Sequence, residues 1–210
     1  MDKILLFGGG GHSKACADVI ESQGKFEISG IVDPLLQKMD LPYTLINKED
    51  PYEFLRETFD NAIVSVGQIK NLDVRKKIYS KLKEYEFNLP VIQSKYAYKS
   101  EHSKINEGTI LMHFSLVNSY STIGKNCIIN SKSLIEHDVE VGDHCHIATG
   151  AILNGGVKVG DGTFIGSNTV IAQGKSIGNK CVISAGLFIN EDIPDGEIVQ
   201  IGRASCRERV

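Results

Sequence analysis

A chain of 210 residues with net charge −3, 41% hydrophobic and 23% charged, has the make-up of one large globular domain or two small ones. That balance offers no polyanion-binding surface, so the composition argues against nucleic acid as a partner. No apolar run reaches a membrane span, and the opening MDKILLFGGGGH is too short for a signal-peptide core, so a cytoplasmic protein with no membrane partner is expected.

In chain order, residues 3–7 (KILLF) predict a short strand that stops at four glycines, Gly8 to Gly11. His12-Ser13-Lys14 then opens ACADVIESQG, whose apolar spacing at Ala15, Val19 and Ile20 suits a helix closed by Gly24. FEISGIVD predicts a strand ending at Asp33, NAIVSVG another ending at Gly67, and NLDVRKKIYSKLKEYE an amphipathic helix beginning at Asn71. Strand, Gly-rich turn, helix and strand in this order predict a small Rossmann-like α/β domain with a parallel sheet over residues 1–92. The stretch NLPVIQSKYAYKS reads as a connector.

From residue 105 the pattern changes. Every sixth residue is aliphatic: Ile105, Leu111, Val117, Ile123, Ile129, Ile135, Val141, Ile147, Leu153, Val159, Ile165, Ile171, Ile177, Ile183 and Ile189. A six-residue period held over so many cycles fits neither a 3.6-residue helix nor two-residue alternation. It predicts a parallel β-helix over residues 93–200, in which each hexad is one flat side of a triangular prism. Five such coils make a stack of about 24 Å. The position after the aliphatic, glycine at 124, 142, 160, 166 and 178, is expected to turn the corner. Of the five cysteines none forms a C-x-x-C pair, and Cys127, Cys145 and Cys181 are spaced to stack as small side chains on one inner corner, in a reducing compartment. The last ten residues, IGRASCRERV (201–210), leave the hexad pattern and read as the translation of a common sequencing-adapter oligonucleotide, so an assembly artefact is expected there.

Two groups of residues could carry chemistry. The Gly-rich turn exposes backbone N–H groups at a helix N-terminus, and Asp33 and Gly67 close later strands at the same carboxyl edge, where open α/β sheets bind ligands. On the prism, His102, His113, His137, His144 and His146 are sorted by hexad position. His137 stands two residues after Ile135 and His146 one before Ile147, so both are expected to point outward. In the segment E-H-D a carboxylate neighbour can hold the His137 imidazole in one tautomer and make it a better base. Nine residues separate His137 from His146, which places them on opposite sides of one prism. They can converge only between chains, most simply in a homotrimer. A zinc lyase of the prism-type carbonic anhydrase kind would need an H-x-x-x-x-H pair, which is absent, so no metal is expected. A non-catalytic prism that binds sugar nucleotides or scaffolds an assembly is the other alternative.

The segments ILLFGGGGHSK, VSVG…VRKKIY and SLIEHDVEVGDHCHIATGA resemble the sialic-acid O-acetyltransferase-like sugar acyltransferases, a family of hexapeptide-repeat acetyltransferases, over about residues 3–198. The resemblance implies a left-handed β-helix and acetyl-CoA-dependent transfer to an amine or hydroxyl of a nucleotide-linked sugar. It implies His137 as general base and Asp138 as the acid supporting it, where close relatives carry Glu. Donor contacts are implied at His146, Gly155, Ser167 and Ala185, and sugar-nucleotide contacts at Gly10, Gly11, His12, Asp33 and Gly67. The chain departs from the family at Pro34, where relatives often have a second acid, and it lacks their G-x-P-A-type tail.

Overall fold

The computed structural model describes residues 1–39, 41–49, 51–69 and 72–200. The tail 201–210 and the expected helix start at Asn71 lie outside the described residues.

The first apolar run forms β1 (Asp2–Phe7), which pairs in parallel with β2 (Phe26–Val32) on one side and β4 (Asn61–Val64) on the other. A short β3 (Leu45–Ile46) extends the sheet to the order β3-β2-β1-β4. Ile4, Leu5 and Leu6 are wholly buried because both faces of β1 are covered, which is why the run is continuously apolar instead of alternating. Ile4 and Leu6 pack with helix α1 (Gly11–Gln23), while Leu5 and Phe7 pack with Leu82 and Tyr79 of α3 (Asp73–Glu84). Gly24 ends α1 as anticipated, at φ 68° with its N–H on Ile20 O at 3.2 Å. Neither β3 nor the single-turn helix α2 (Tyr52–Arg56) carried a sequence signal long enough to read.

The hexads form the expected prism. Its two-residue strands pair in parallel with those eighteen residues on, as in Thr122–Ile123 with Glu140–Val141. Among the described residues they make a five-stranded, a seven-stranded and a six-stranded face. The core aliphatics from Leu111 to Ile189 fill one continuous cluster with Cys127, Cys145 and Cys181, and Cys145 donates its N–H to Cys127 Sγ at 3.4 Å.

Three expectations need correction. The corner residue with left-handed backbone is the third after the aliphatic, not the first: Asn126, Asp138, His144 and Asn168 sit at φ 52–59°. Gly124 instead answers to close stacking, since a Cβ there would run into the Gly142 carbonyl of the next coil. The stretch read as a connector is the first coil, with Ile92–Gln93 pairing with Ile110–Leu111 and Tyr98–Lys99 with Leu116–Val117. Gln93 and Lys99 occupy the aliphatic register because an end coil has solvent above it; their side chains donate to Ala97 O and Ser100 O. At the far end the pairings Ile177 with Ile193 and Val182–Ile183 with Ile198–Val199 span sixteen residues, so the last coil is two residues short and Asp195 falls where an aliphatic was due.

The two domains share a core. Cys16, Ala17, Val19 and Ile20 of α1 pack on Ile92, Ile110, Met112 and Ile128 of the seven-stranded face. Arg75, 1% exposed, donates to Val64 O and Val66 O at 2.8 Å each and to Asn126 O of the prism at 3.2 Å. Wholly buried, its guanidinium is pushed down to about 10 by loss of solvation.

Candidate active site

His137 follows the six-stranded face, at its corner with the five-stranded one. Its side chain is 53% exposed, and Nδ1 lies 2.8 Å from Asp138 Oδ2. A carboxylate at that distance takes the N–H of Nδ1, which leaves the Nε2 lone pair free as a proton acceptor. The left-handed corner at Asp138, φ 59°, lets two consecutive side chains face each other in this way. In the next coil Gly155 lies against the ring: a Cβ there would stand 2.6 Å from Cε1 and 2.7 Å from Nε2. Beside His137, Glu136 Oε2 accepts from Asn118 Nδ2 at 2.9 Å, an arrangement the hexad reading missed.

His146 corrects an expectation. Its position on the seven-stranded face is outward, as read, yet the imidazole is only 8% exposed because the loop after β4 covers it. Nδ1 donates to Gln68 O at 2.5 Å, Nε2 accepts from Asn130 Nδ2 at 3.1 Å, and Phe164 packs edge-on at 5.2 Å. Both nitrogens are spent inside the chain, and burial pushes the group down to about 4. No hexad pattern could announce the covering loop, which comes from the other domain.

His137 and His146 are half a coil apart and stand at a corner and on the face opposite it. Ser167 and Ala185 occupy the corner between the seven- and six-stranded faces, so they are separated from His137 and Gly155 by the width of a face. Of the implied donor residues the structure brings only Gly155 to His137. Two more of the histidines are placed structurally: His113 bridges Ser94 Oγ and Asp18 Oδ2 of α1, at 2.6 and 2.7 Å, and His144 packs edge-on to Tyr79. Among the described residues no three His, Cys, Asp or Glu side chains group as metal ligands, and no helix is long and apolar enough to cross a membrane.

On the first domain, Gly10, Gly11, His12, Asp33 and Gly67 do collect at the carboxyl edge of the sheet. Gly10 and Gly11 are exposed, with open space where side chains would be, so the N-terminus of α1 presents bare backbone. Asp33 is partly committed: Oδ2 accepts from Gly9 N at 2.8 Å and Oδ1 from Leu35 N at 3.0 Å, which ties the glycine turn to β2. A Cβ at Gly67 would stand 3.5 Å from His12, whose Nε2 is buried without a hydrogen bond among the described residues. Burial pushes His12 down to about 3, helped by the nearby Arg75 charge and His146, so it is neutral. A cavity of about 550 Å³ opens at this edge between Asp33, Val66, Tyr52, Lys77 and Lys81. The two lysines lie one turn apart on α3, and Tyr52 stacks on Phe7 at 5.3 Å. Tyr52, Lys77 and Lys81 were not foreseen, although the K-x-x-x-K spacing was a readable signal.

Residues 3–82 match the family model of the PglD N-terminal domain. Residues 120–155 and 138–173 match the bacterial transferase hexapeptide of six repeats, and 156–191 the hexapeptide repeat of succinyl-transferase. These matches agree with the Rossmann-like domain and the left-handed parallel β-helix. Among solved structures the chain is similar to a histidine mutant of perosamine N-acetyltransferase from Caulobacter crescentus in complex with CoA and GDP-perosamine. Identity is 26% and the TM-score 0.89 over 94% of this chain and 93% of that one. It is also similar to the acetyltransferase domain of PglB from Neisseria gonorrhoeae, at 27% identity and TM-score 0.87 over 94% and 96% of the two chains. For that domain in complex with acetyl coenzyme A the values are 26% and 0.85, over 93% and 94%. No curated protein sequence matches the chain.

Proposed function

We propose that this chain, an acetyltransferase joining a PglD N-terminal domain to hexapeptide repeats, moves the acetyl group of acetyl-CoA onto an amine or hydroxyl of a nucleotide-linked sugar. The observation that carries the reading is the His137 imidazole, held at Nδ1 by Asp138 and lying at Nε2 against Gly155. Nε2 takes the proton from the attacking nitrogen or oxygen as that atom bonds to the thioester carbonyl carbon. The tetrahedral intermediate then expels the CoA thiolate, which receives the same proton from Nε2. Asn154 and Gly156 spend their N–H groups on Ile171 O and His137 O, so the Gly155 N–H between them is the donor suited to the developing oxyanion.

The cavity beside the bare N-terminus of α1 suits a nucleoside diphosphate, with Lys77 and Lys81 for its charge and the Tyr52 side for its base. Gly10, Gly11, His12, Asp33 and Gly67 serve this end of the substrate, and because their domain docks on the face opposite the His137 corner, the sugar reaches His137 of a second chain. Ser167 and Ala185 reach the acetyl donor in a cleft shared with a second chain, since they stand at a different corner from His137; a homotrimer closes such clefts with one interface type. Four buried free thiols, Cys16, Cys127, Cys145 and Cys181, suit a cytoplasmic location.

The test is thiol release from acetyl-CoA against a panel of UDP-, GDP- and CMP-linked amino and hydroxy sugars. Release matched by acetylated sugar is expected with at least one nucleotide. No release above the rate without sugar, across the whole panel, would contradict the reading.

A further inference from the structure

Two aromatic rings stand exposed at the same corner as the base. His102 and Tyr120 stack with centroids 5.4 Å apart and planes 12° off parallel, and Tyr120 is 68% exposed. Neither contributes to the apolar clusters among the described residues, so core packing does not account for them. The register of the flanking strands fixes their place. On the five-stranded face Lys104–Ile105 pairs with Thr122–Ile123, and that with Glu140–Val141. On the six-stranded face Tyr98–Lys99 pairs with Leu116–Val117, and Leu116–Val117 with Leu134–Ile135. His102, Tyr120 and Asp138 therefore follow one another up a single corner, one coil and about 5 Å apart. Above Asp138 the same column continues as Gly156 and Gly174, both free of side chains. The corner is asymmetric about the base, with rings below and glycines above. His137 leans towards the glycine side, against Gly155.

We propose that Tyr120, backed by His102, is the platform on which the pyranose ring of the acceptor rests while its nucleophile reaches His137 Nε2. This rests on the reading of acetyl transfer to a nucleotide-linked sugar and adds a specificity-determining residue to it. A pyranose presents C–H groups on its apolar face, and these meet the electron-rich face of an aromatic ring favourably. A ring one coil below the base supports a bound sugar at the height where a substituent meets the imidazole. The stacked His102 holds the Tyr120 ring in one orientation, so little freedom is lost on binding. The bare glycine side leaves the thioester arm its room, which assigns the two substrates to opposite sides of His137.

The experiment compares wild type, Tyr120→Ala, Tyr120→Phe and His102→Ala, using the member of the nucleotide-sugar panel that wild type acetylates best. Tyr120→Ala should raise KM for the sugar nucleotide about tenfold, equivalent to about 1.4 kcal/mol, with KM for acetyl-CoA within twofold of wild type. Tyr120→Phe keeps the platform and should stay within twofold for both substrates; His102→Ala should raise the sugar KM by a smaller factor. An unchanged sugar KM in Tyr120→Ala overturns the platform and leaves acetyl transfer standing. So does a raised KM for acetyl-CoA, which would give the ring to the donor. A fall in assembly mass by light scattering would make the pair a contact between copies, and also overturns it. A wild type that acetylates no panel member overturns the reading and the platform together.

Discussion

Gly155→Ala separates the catalytic corner from the fold that carries it. A Cβ at this position would stand 2.6 Å from His137 Cε1 and 2.7 Å from Nε2. Carbon atoms settle at about 3.5–4.0 Å, so the imidazole must retreat by roughly 1 Å. The ring can do so because it is 53% exposed and bordered by solvent. A displacement of about 1 Å at a reacting group costs on the order of 100-fold in rate. The fold loses at most the hydrogen bond to Asp138, about 1 kcal/mol, or about 2–4 °C in a chain of this size. Initial rates of thiol release and a thermal melt of the same preparation read the two effects. The expected result is a rate down about 100-fold with the melting temperature nearly kept. A rate within threefold of wild type would refute the reasoning, because the ring would then not need its place against Gly155.

Gly124→Ala should show the opposite signature, since its Cβ meets the rigid backbone of Gly142 and Asp143 rather than a movable ring. A loss of about 1–3 kcal/mol is expected in denaturant titration, with kcat per folded molecule unchanged. The pH dependence of stability should report His146. Its folded value of about 4 lies below the ordinary 6.5, so the unfolded chain binds the proton more readily and stability falls as pH drops from 6.5 towards 4. At pH 5 this amounts to about 2 kcal/mol, and denaturant titrations at pH 7 and pH 5 should show a smaller drop for His146→Gln; parallel losses would refute the assignment. Arg75→Met leaves Val64 O, Val66 O and Asn126 O without their donor. Each buried carbonyl left unsatisfied costs about 1–3 kcal/mol, and the loss at the domain junction should be seen as faster hydrogen exchange in α3 and the coil around Asn126.

The prism was legible because one physical demand, an aliphatic side chain on every flat side, recurs without exception from Ile105 to Ile189. Where that demand lapses the reading lapsed too. Gln93 and Lys99 stand in the aliphatic register at an open end, where a polar side chain closing a carbonyl serves better than a buried one. The last coil closes early at Ile193, and counting in sixes runs past it. The His137–Asp138 contact was legible from E-H-D because the two residues are adjacent. His146 was legible in position but not in environment: the loop carrying Gln68 is far away in sequence and reaches it only because α1 docks on the seven-stranded face. The same docking decides that Arg75 is buried, which VRKKIY alone does not reveal.

The most direct test of the account is the kinetics of His137→Ala with acetyl-CoA and the sugar nucleotide that wild type acetylates. A positioned general base contributes about 10²–10⁴-fold, and the half-exposed ring contributes little to the fold. In His137→Ala kcat should fall at least 100-fold, with both KM values and the melting temperature close to wild type. Turnover within threefold of wild type in a folded His137→Ala protein would contradict it.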